Sequence, residues 1–228
     1  TTLWVSGFRA FCLPLGGLPS NPVPWSVGNR KSELPATELA SLMLSAAGVS
    51  DWLVDTGIPG DISSPAETAE AAGSSAHEVV RIEQVGEVAV AMPGDYAENF
   101  RELLASRMTP AGAPKPIIAY RTGFDGDLSD PPPSEVAAAA AHWRDSGGGR
   151  LTDRALMRFG LHRALEMAKP LQLHVGFGDR DCDLHRTNPL HLLDFLRTSG
   201  ETPVVLLHCY PFEREAGYLA QAFNNVFV

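Results

Sequence analysis

Two apolar segments of the sequence reach a histidine close to where a strand would end. The segment LQLHVGFGD (171–179) carries His174, and the segment PVVLLHCYP (203–211) carries His208. Because the carboxyl ends of parallel strands meet at one edge of a sheet, with neighbouring strands about 4.8 Å apart, both imidazoles could reach one divalent ion. We expect zinc first, with manganese or iron as alternatives. The other interpretation is that each ring hydrogen-bonds a neighbouring carbonyl group.

The loop GFGDRDCDLHRTNP (176–189) follows the first of these strands and is rich in polar side chains. We predict that His185 and Arg186 belong to the same site, because a guanidinium group can clamp a carboxylate through two parallel hydrogen bonds. A polar loop without any direct role is the alternative. The loop also contains three acids, Asp179, Asp181 and Asp183.

A third strand-like segment, KPIIAYRTGF (115–124), places Arg121 before another polar loop. A cation at this position could bind an anionic group of a substrate. The alternative is a salt bridge to an acid of the following loop, such as Asp125. The sequence leaves both interpretations open.

These candidate side chains lie in a regular alternation of strand-like and helix-like segments. The apolar runs are continuous and short, which is typical of parallel strands buried on both faces. The strands are predicted at 51–57, 77–85, 115–124, 171–177, 203–209 and 224–228. Parallel strands joined by helices predict an α/β fold, arranged either as an eight-stranded barrel or as a doubly wound open sheet.

The barrel is the better of the two expectations, because no strand is followed by the G-x-G-x-x-G or P-loop turn that marks nucleotide-binding open sheets. We therefore predict one domain over residues 1–228, a (β/α)8 TIM-like barrel whose first and last strands are missing. Residues 1–34 form an irregular or partly helical lead-in. Residues beyond this sequence, or a partner chain, would complete the sheet.

The bulk composition excludes several classes of partner. The 228 residues carry 18 basic and 27 acidic side chains, a net charge of −9, which disfavours nucleic acid and anionic membranes. Three widely spaced cysteines, Cys12, Cys182 and Cys209, predict free thiols and a cytoplasmic protein. No apolar run has the roughly 18–20 residues of a membrane span, so no membrane partner is expected. The expected partner is a small-molecule substrate. Formation of a homo-oligomer is left open.

Four stretches of the sequence together resemble a known family. They are WLVDTG, PIIAYRTGF, PLQLHVGFGDRDCDLHRTNPLHLLDFL and VVLLHCYPFEREAGYLAQAFNNVFV. They resemble the amidohydrolase-related family, which includes the nodulin-like domain fused to glutamine-synthetase-type proteins. The likeness covers residues 35–228, and its most specific part is LHCYPFEREAGYLA.

The resemblance implies a metal-dependent barrel with a defined set of ligands. Members carry an H-x-H pair after the first strand, one histidine after each of the fifth and sixth strands, and an aspartate after the eighth. His174 and His208 match the fifth and sixth positions, whereas this sequence contains no H-x-H. Lys115 matches a lysine that is carbamylated and bridges two metals in parts of the superfamily; an ordinary surface lysine is the alternative.

The reaction that the resemblance implies is hydrolysis of a C–N or C–O bond at a carbonyl group by metal-activated water. Two alternatives stay open at this point. The same metal could serve a non-oxidative decarboxylase, or the domain could be a non-catalytic binding or assembly module that lacks a full metal site.

Overall fold

The structure is a computed structural model that describes residues 34–57, 63–178 and 182–228. The chain divides into two compact units, residues 1–78 and 79–228. Residues 1–33 of the predicted lead-in at 1–34 lie outside the described residues, as do Cys12, Asp179 and Asp181. That the whole chain forms one domain stays a prediction.

The first unit contributes two helices and two strands to the described residues. In chain order they are α1 (Ala36–Ala46), β1 (Asp51–Asp55), α2 (Pro65–Ala72) and the beginning of β2 (Ser75–Arg81), which continues into the second unit. Helix α2 begins at a capping box, in which the Ser64 hydroxyl accepts the Glu67 N–H and the Glu67 carboxylate accepts the Ser64 N–H. Serine at the N-cap and proline at the first helical position are residue types that favour a helix start.

The second unit holds most of the described elements. After β2 come α3 (Ile82–Ala91), α4 (Tyr96–Met108), β3 (Ala113–Lys115), the short α5 (Ile118–Arg121), α6 (Pro133–Asp145) and α7 (Arg154–Leu165). They are followed by β4 (Leu171–Val175), two 3-10 turns (Leu184–Thr187 and Pro189–Leu192), α8 (Leu193–Thr198), β5 (Val204–His208), α9 (Glu213–Ala222) and β6 (Val226–Phe227). None of the helices in the described ranges is both long and apolar enough to cross a bilayer.

The predicted eight-stranded barrel is wrong. The described part of the chain contains six strands in two three-stranded sheets, ordered β1-β2-β3 and β4-β5-β6. Strands β2 and β3 pair in parallel over only three residue pairs, whereas β4 and β5 pair in parallel over five. The fold is therefore α/β, with two small sheets in place of one closed sheet.

Prolines account for the shortness of β3. Pro114 lies inside this strand and Pro116 follows it directly, and proline has no N–H to donate to a neighbouring strand. The predicted strand at 115–124 is accordingly wrong, because the chain leaves the sheet at Lys115 and residues 118–121 turn into a helix. The strand predicted at 77–85 likewise ends at Arg81, where α3 begins.

The core of the second unit combines an aromatic cluster with the apolar faces of the strands. Tyr96, Phe100 and Phe159 pack with ring centroids 5.2–6.1 Å apart, where α4 meets α7. In the β4-β5-β6 sheet, five side chains are almost fully buried: Leu171, Leu173, Val175, Val204 and Leu206. Burial on this scale holds the two strands in register and so fixes what projects from their ends.

Candidate active site

His174 and His208 come together at the carboxyl ends of β4 and β5. In the parallel register Val175 lies opposite His208, so the two histidines are staggered by one residue. His174 Nδ1 and His208 Nε2 are 3.0 Å apart, and the two rings stack with centroids 5.1 Å apart. The two rings lie close together, as the sequence predicted. His174 is buried, whereas His208 is exposed.

The facing nitrogens have a spacing that a metal ion could use. Between two neutral imidazoles, one nitrogen donates and the other accepts the proton of a hydrogen bond. Zn–N bonds of about 2.0–2.1 Å in a tetrahedral site place two ligand nitrogens roughly 3.3 Å apart. The observed separation of 3.0 Å differs from that by a few tenths of an ångström. The distance between the two nitrogens is therefore compatible with either a direct hydrogen bond or a shared ion.

The backbone after β5 is strained where it carries this site. His208 and Cys209 have φ angles of 71° and 63°, in the left-handed region that residues other than glycine rarely adopt. The Cys209 N–H donates to Leu207 O and the Tyr210 N–H to His208 O, so two three-residue turns follow one another. Such outliers persist where surrounding structure imposes them, and they concentrate at functional sites.

The loops after β4 and β5 are bonded to each other directly beyond the histidines. The Phe177 N–H donates to Tyr210 O at 2.6 Å, and the Gly176 N–H donates to Thr187 O at 3.0 Å. Gly176 has a φ of 73°, and a Cβ atom there would collide with the carbonyl group of Tyr210, 2.9 Å from its carbon. The buried Thr187 hydroxyl returns a hydrogen bond to Gly176 O at 2.9 Å. Only glycine fits this junction.

Tyr120 is a site residue that the sequence analysis missed. Its ring centroid lies 4.8 Å from that of His174, and its hydroxyl donates to Phe177 O at 2.8 Å. Because residues 118–121 form a helix and not the expected strand, Tyr120 points at β4. The sequence signal was an aromatic residue next to the candidate Arg121. Without knowing that residues 118–121 form a helix, the direction of the Tyr120 side chain could not be predicted.

Lys115, the last residue of β3, acts on His208 through its charge. Desolvation lowers the pKa of His208, and the neighbouring Lys115 ammonium lowers it further. Both effects favour the neutral imidazole, which is the form that binds metal ions. The structure therefore brings Lys115 to the site; whether it is itself a metal ligand stays a prediction.

Arg121 lies inside the protein, in an ion pair. Its guanidinium group donates to Glu87 Oε1 and to Leu151 O, each at 2.7 Å, and its side chain is 8% exposed. Asp125, the partner that the sequence suggested, binds another arginine. The predicted contact of Arg121 with a substrate stays a prediction, and both of its bonded partners are protein groups.

Arg186 joins the first 3-10 turn to the loop after α5. Its Nε donates to Asp125 Oδ1 at 2.8 Å and its Nη2 to Thr122 O at 2.6 Å. The hydrogen bond from Arg186 lowers the pKa of Asp125. His185, the residue before it, is exposed, and its carbonyl oxygen lies 3.1 Å from the His191 ring nitrogen Nε2. Both roles predicted from sequence stay predictions.

Glu83 is a second residue that the sequence analysis missed. It lies two residues beyond β2, is only 2% exposed, and accepts the Ile117 N–H at 2.8 Å. Burial raises its pKa to about 7, against the opposing effects of two hydrogen bonds and of the Arg121 and Arg81 charges. Its sequence signal is an acid inside the apolar run VVRIEQV.

A complete metal site is not present among the described residues. Across 34–57, 63–178 and 182–228, no group of three or more His, Cys, Asp or Glu side chains could hold a metal ion. Two facing ring nitrogens, a nearby lysine and a tyrosine ring beside His174 are what these ranges supply.

Comparisons with known proteins support a coarse assignment. No family model matches the chain. Over 149 residues it is 32% identical to Protein fluG of Emericella nidulans. The matched stretch covers 58% of this chain and 17% of that protein. The solved structure of a protein from Lactobacillus casei ATCC 334, provisionally described as a metal-dependent hydrolase, matches with a TM-score of 0.79 and 28% identity, over 97% of this chain and 61% of that one.

This chain thus spans less than two thirds of the length of either protein. One part of the resemblance predicted from sequence is confirmed: the chain is similar to a protein that is provisionally described as a metal-dependent hydrolase. Membership of the amidohydrolase-related family stays a prediction.

Proposed function

We propose that the protein is a metal-dependent hydrolase in which His174 and His208 are ligands of one divalent ion, zinc first. The observation that carries this proposal is the 3.0 Å approach of two ring nitrogens from adjacent strand ends. A bound divalent ion would supply a Lewis acid that polarises a carbonyl group and activates water for its attack. The substrate would be a small molecule with a C–N or C–O bond at that carbonyl.

The chain's own residues prepare these ligands. Desolvation and then the Lys115 charge lower the pKa of His208, which favours the neutral ring, and the Tyr120 ring lies against the buried His174. The junction around Gly176 and Thr187 holds the two loops at the mouth of the site. The likeness to the Lactobacillus protein supports the reaction class, and the sequence resemblance supports the amidohydrolase-related family as the parent family.

The test is metal binding by single-histidine variants. We expect His174→Gln and His208→Gln each to weaken binding of Zn²⁺ or Co²⁺ by at least about tenfold, because each removes a ligand. Co²⁺ absorption spectra and metal content after dialysis measure this. His142→Gln, at an exposed position of α6, is the matched control and should bind metal like the wild type. Full retention of metal by both site variants would overturn the proposal.

One observation favours a second candidate, the non-catalytic module. The described ranges supply no third His, Cys, Asp or Glu ligand beside the histidine pair. If the wild-type chain binds no divalent metal at micromolar concentration, this second candidate replaces the hydrolase. A panel of small amides, esters and carboxylic acids, assayed for both hydrolysis and carbon dioxide release, separates a hydrolase from a decarboxylase.

A further inference from the structure

A cavity that opens to solvent lies among helices α4, α6 and α7 of the second unit. Its volume is about 440 Å³, a size that proteins use to bind small molecules. The first turn of α4, one face of α6 and Phe159 of α7 border it, and neither His174 nor His208 lines it. A ligand in this cavity would therefore be separate from the candidate metal ion.

One wall of the cavity is apolar. Residues 133, 136, 137 and 140 line it, and their spacing of three and four places them on a single face of α6. The lining also includes Pro131, before the helix, and the aromatic ring of Phe159. This wall suits an apolar part of a ligand, because contact with it removes apolar surface from water.

Arg163 lines the cavity but is held by two carboxylates of the protein. Its Nη2 donates to Asp130 Oδ2 at 2.5 Å and to Glu166 Oε1 at 2.9 Å. Its guanidinium carbon also lies 5.1 Å from the centroid of the Phe159 ring. These contacts make Arg163 part of the wall, and we assign no ligand to it.

Arg144 and Arg101 line the same cavity and have donors left for a ligand. The Nε of Arg144 donates to Val90 O at 3.0 Å, which uses one of the five N–H groups of a guanidinium group. The guanidinium carbon of Arg101 lies 5.2 Å from the Phe159 ring centroid, a cation–π contact that uses no N–H group. Both side chains are exposed and so accessible to a molecule in the cavity.

Two acids at the beginning of α4 complete the polar lining. Asp95 caps the helix, and its Oδ1 accepts the Glu98 N–H at 2.9 Å, which leaves the second carboxylate oxygen for another donor. Glu98 lies three residues before Arg101, so the two side chains project to the same side of α4. The cavity thus presents both signs of charge beside an apolar wall.

We infer that this cavity binds a zwitterion with an apolar side chain, a molecule of the class of the aliphatic α-amino acids. Arg101 and Arg144 bind its carboxylate through charge-assisted hydrogen bonds. Glu98 and Asp95 bind its ammonium group, and its side chain lies against α6. A ligand with one charge only would meet a like charge as well as an opposite one, which favours the zwitterion. The inference goes beyond the proposed function, since it concerns another site.

The test compares three ligands with one carbon skeleton. They are L-leucine, 4-methylpentanoate, which lacks the ammonium group, and 3-methylbutylamine, which lacks the carboxylate. Each is titrated into the whole chain at pH 7, and NMR shifts of the 94–101 and 134–144 amides report binding. We expect saturable binding of leucine, and binding of the other two weaker by about tenfold or more, because each leaves charges of the cavity unpaired. Absence of leucine binding, or equal binding of either analogue, would overturn the inference.

Single variants assign the two charges. Arg101→Met and Glu98→Gln replace exposed side chains and should each weaken leucine binding by about tenfold. Glu98→Gln should not weaken binding of 4-methylpentanoate, which has no ammonium group. Glu102→Gln, on α4 but outside the lining, and Arg197→Gln, an exposed arginine of α8, are the controls and should bind leucine like the wild type. Unchanged leucine binding in both cavity variants would contradict the assignment.

The two proposals fail separately. Loss of metal binding in His174→Gln with leucine binding intact supports both proposals. Metal binding by the wild type together with no leucine binding removes the zwitterion site and leaves the hydrolase proposal standing.

Discussion

The two strand pairs that border the candidate site hold their functional residues in different ways. At the end of β4 and β5, which we call the histidine end (His174 and His208), five regular residue pairs and a buried apolar layer hold the strands. At the end of β2 and β3, the cation end (Arg81 and Lys115), three pairs suffice, and a buried carboxyl group binds the chain just after β3. The backbone pairing of β4 with β5 places the two imidazoles. At the cation end, the hydrogen bond from the Ile117 N–H to the Glu83 carboxyl group holds the chain just after Lys115.

This difference has a chemical consequence. The histidine end brings two ring nitrogens together, and the cation end brings two charged side chains side by side. A rigid ladder suits ligands that must converge within tenths of an ångström, whereas a long charged side chain tolerates a less regular support.

The largest effect is expected at the histidine end, at Gly176. Gly176→Ala should lower the free energy of unfolding by about 3 kcal/mol or more, because the left-handed backbone and a collision with the Tyr210 carbonyl group both penalise a Cβ atom. Urea denaturation measures this. Gly200→Ala, with a φ of 61° and nothing within 4 Å of the new atom, should cost only about 1–2 kcal/mol. Equal costs would contradict the collision.

The second effect belongs to the cation end and depends on pH. The pKa of Glu83 is raised from 4.5 to about 7 in the folded protein, so the unfolded chain releases this proton first as the pH rises. The carboxyl group therefore destabilises the fold progressively between about pH 4.5 and 7, by on the order of 3 kcal/mol. Glu83→Gln should lose this dependence, becoming more stable relative to the wild type at pH 8 than at pH 4.

Urea denaturation at the two pH values checks this prediction. Glu102→Gln, at an exposed position of α4, is the control and should follow the wild type at both. The stability difference between Glu83→Gln and the wild type should therefore change with pH. If it does not, the Glu83 carboxyl group is not desolvated in the folded protein.

The smallest effect concerns Tyr120, which packs at the histidine end. Tyr120→Phe keeps the ring beside His174 and removes only the hydrogen bond to Phe177 O, so unfolding should become easier by about 0.5–1 kcal/mol. Thermal unfolding measures the change. Tyr218→Phe, an exposed tyrosine on α9, should change stability by much less. If both variants behave alike, the hydroxyl contributes nothing to holding the loop after β4.

The histidine end was predictable because its strands are continuous apolar runs without proline. In LQLHV and VVLLH the residue types themselves indicate buried parallel strands, and the position of each histidine in its strand follows by counting. Their register and the 3.0 Å approach of the rings agree with that expectation.

The segment PKPIIAYR was misinterpreted because its apolar residues fit a strand and a buried helical turn equally well. Its prolines end the ladder at Lys115, and the following turn sends Tyr120 toward β4 and Arg121 toward Glu87. The barrel prediction failed for a related reason, since local periodicity indicates strands but not how many of them join one sheet.

The sequence by itself determined the α/β class, the two histidine-bearing strands and the negative charge of the chain, because these follow from residue types and short-range periodicity. Only the tertiary structure decided that the strands of the described ranges form two small sheets, that Glu83 is buried, that Arg121 pairs with Glu87, and that Arg81 lies beside Lys115. Those outcomes depend on packing between residues distant in the chain, which local preferences do not encode.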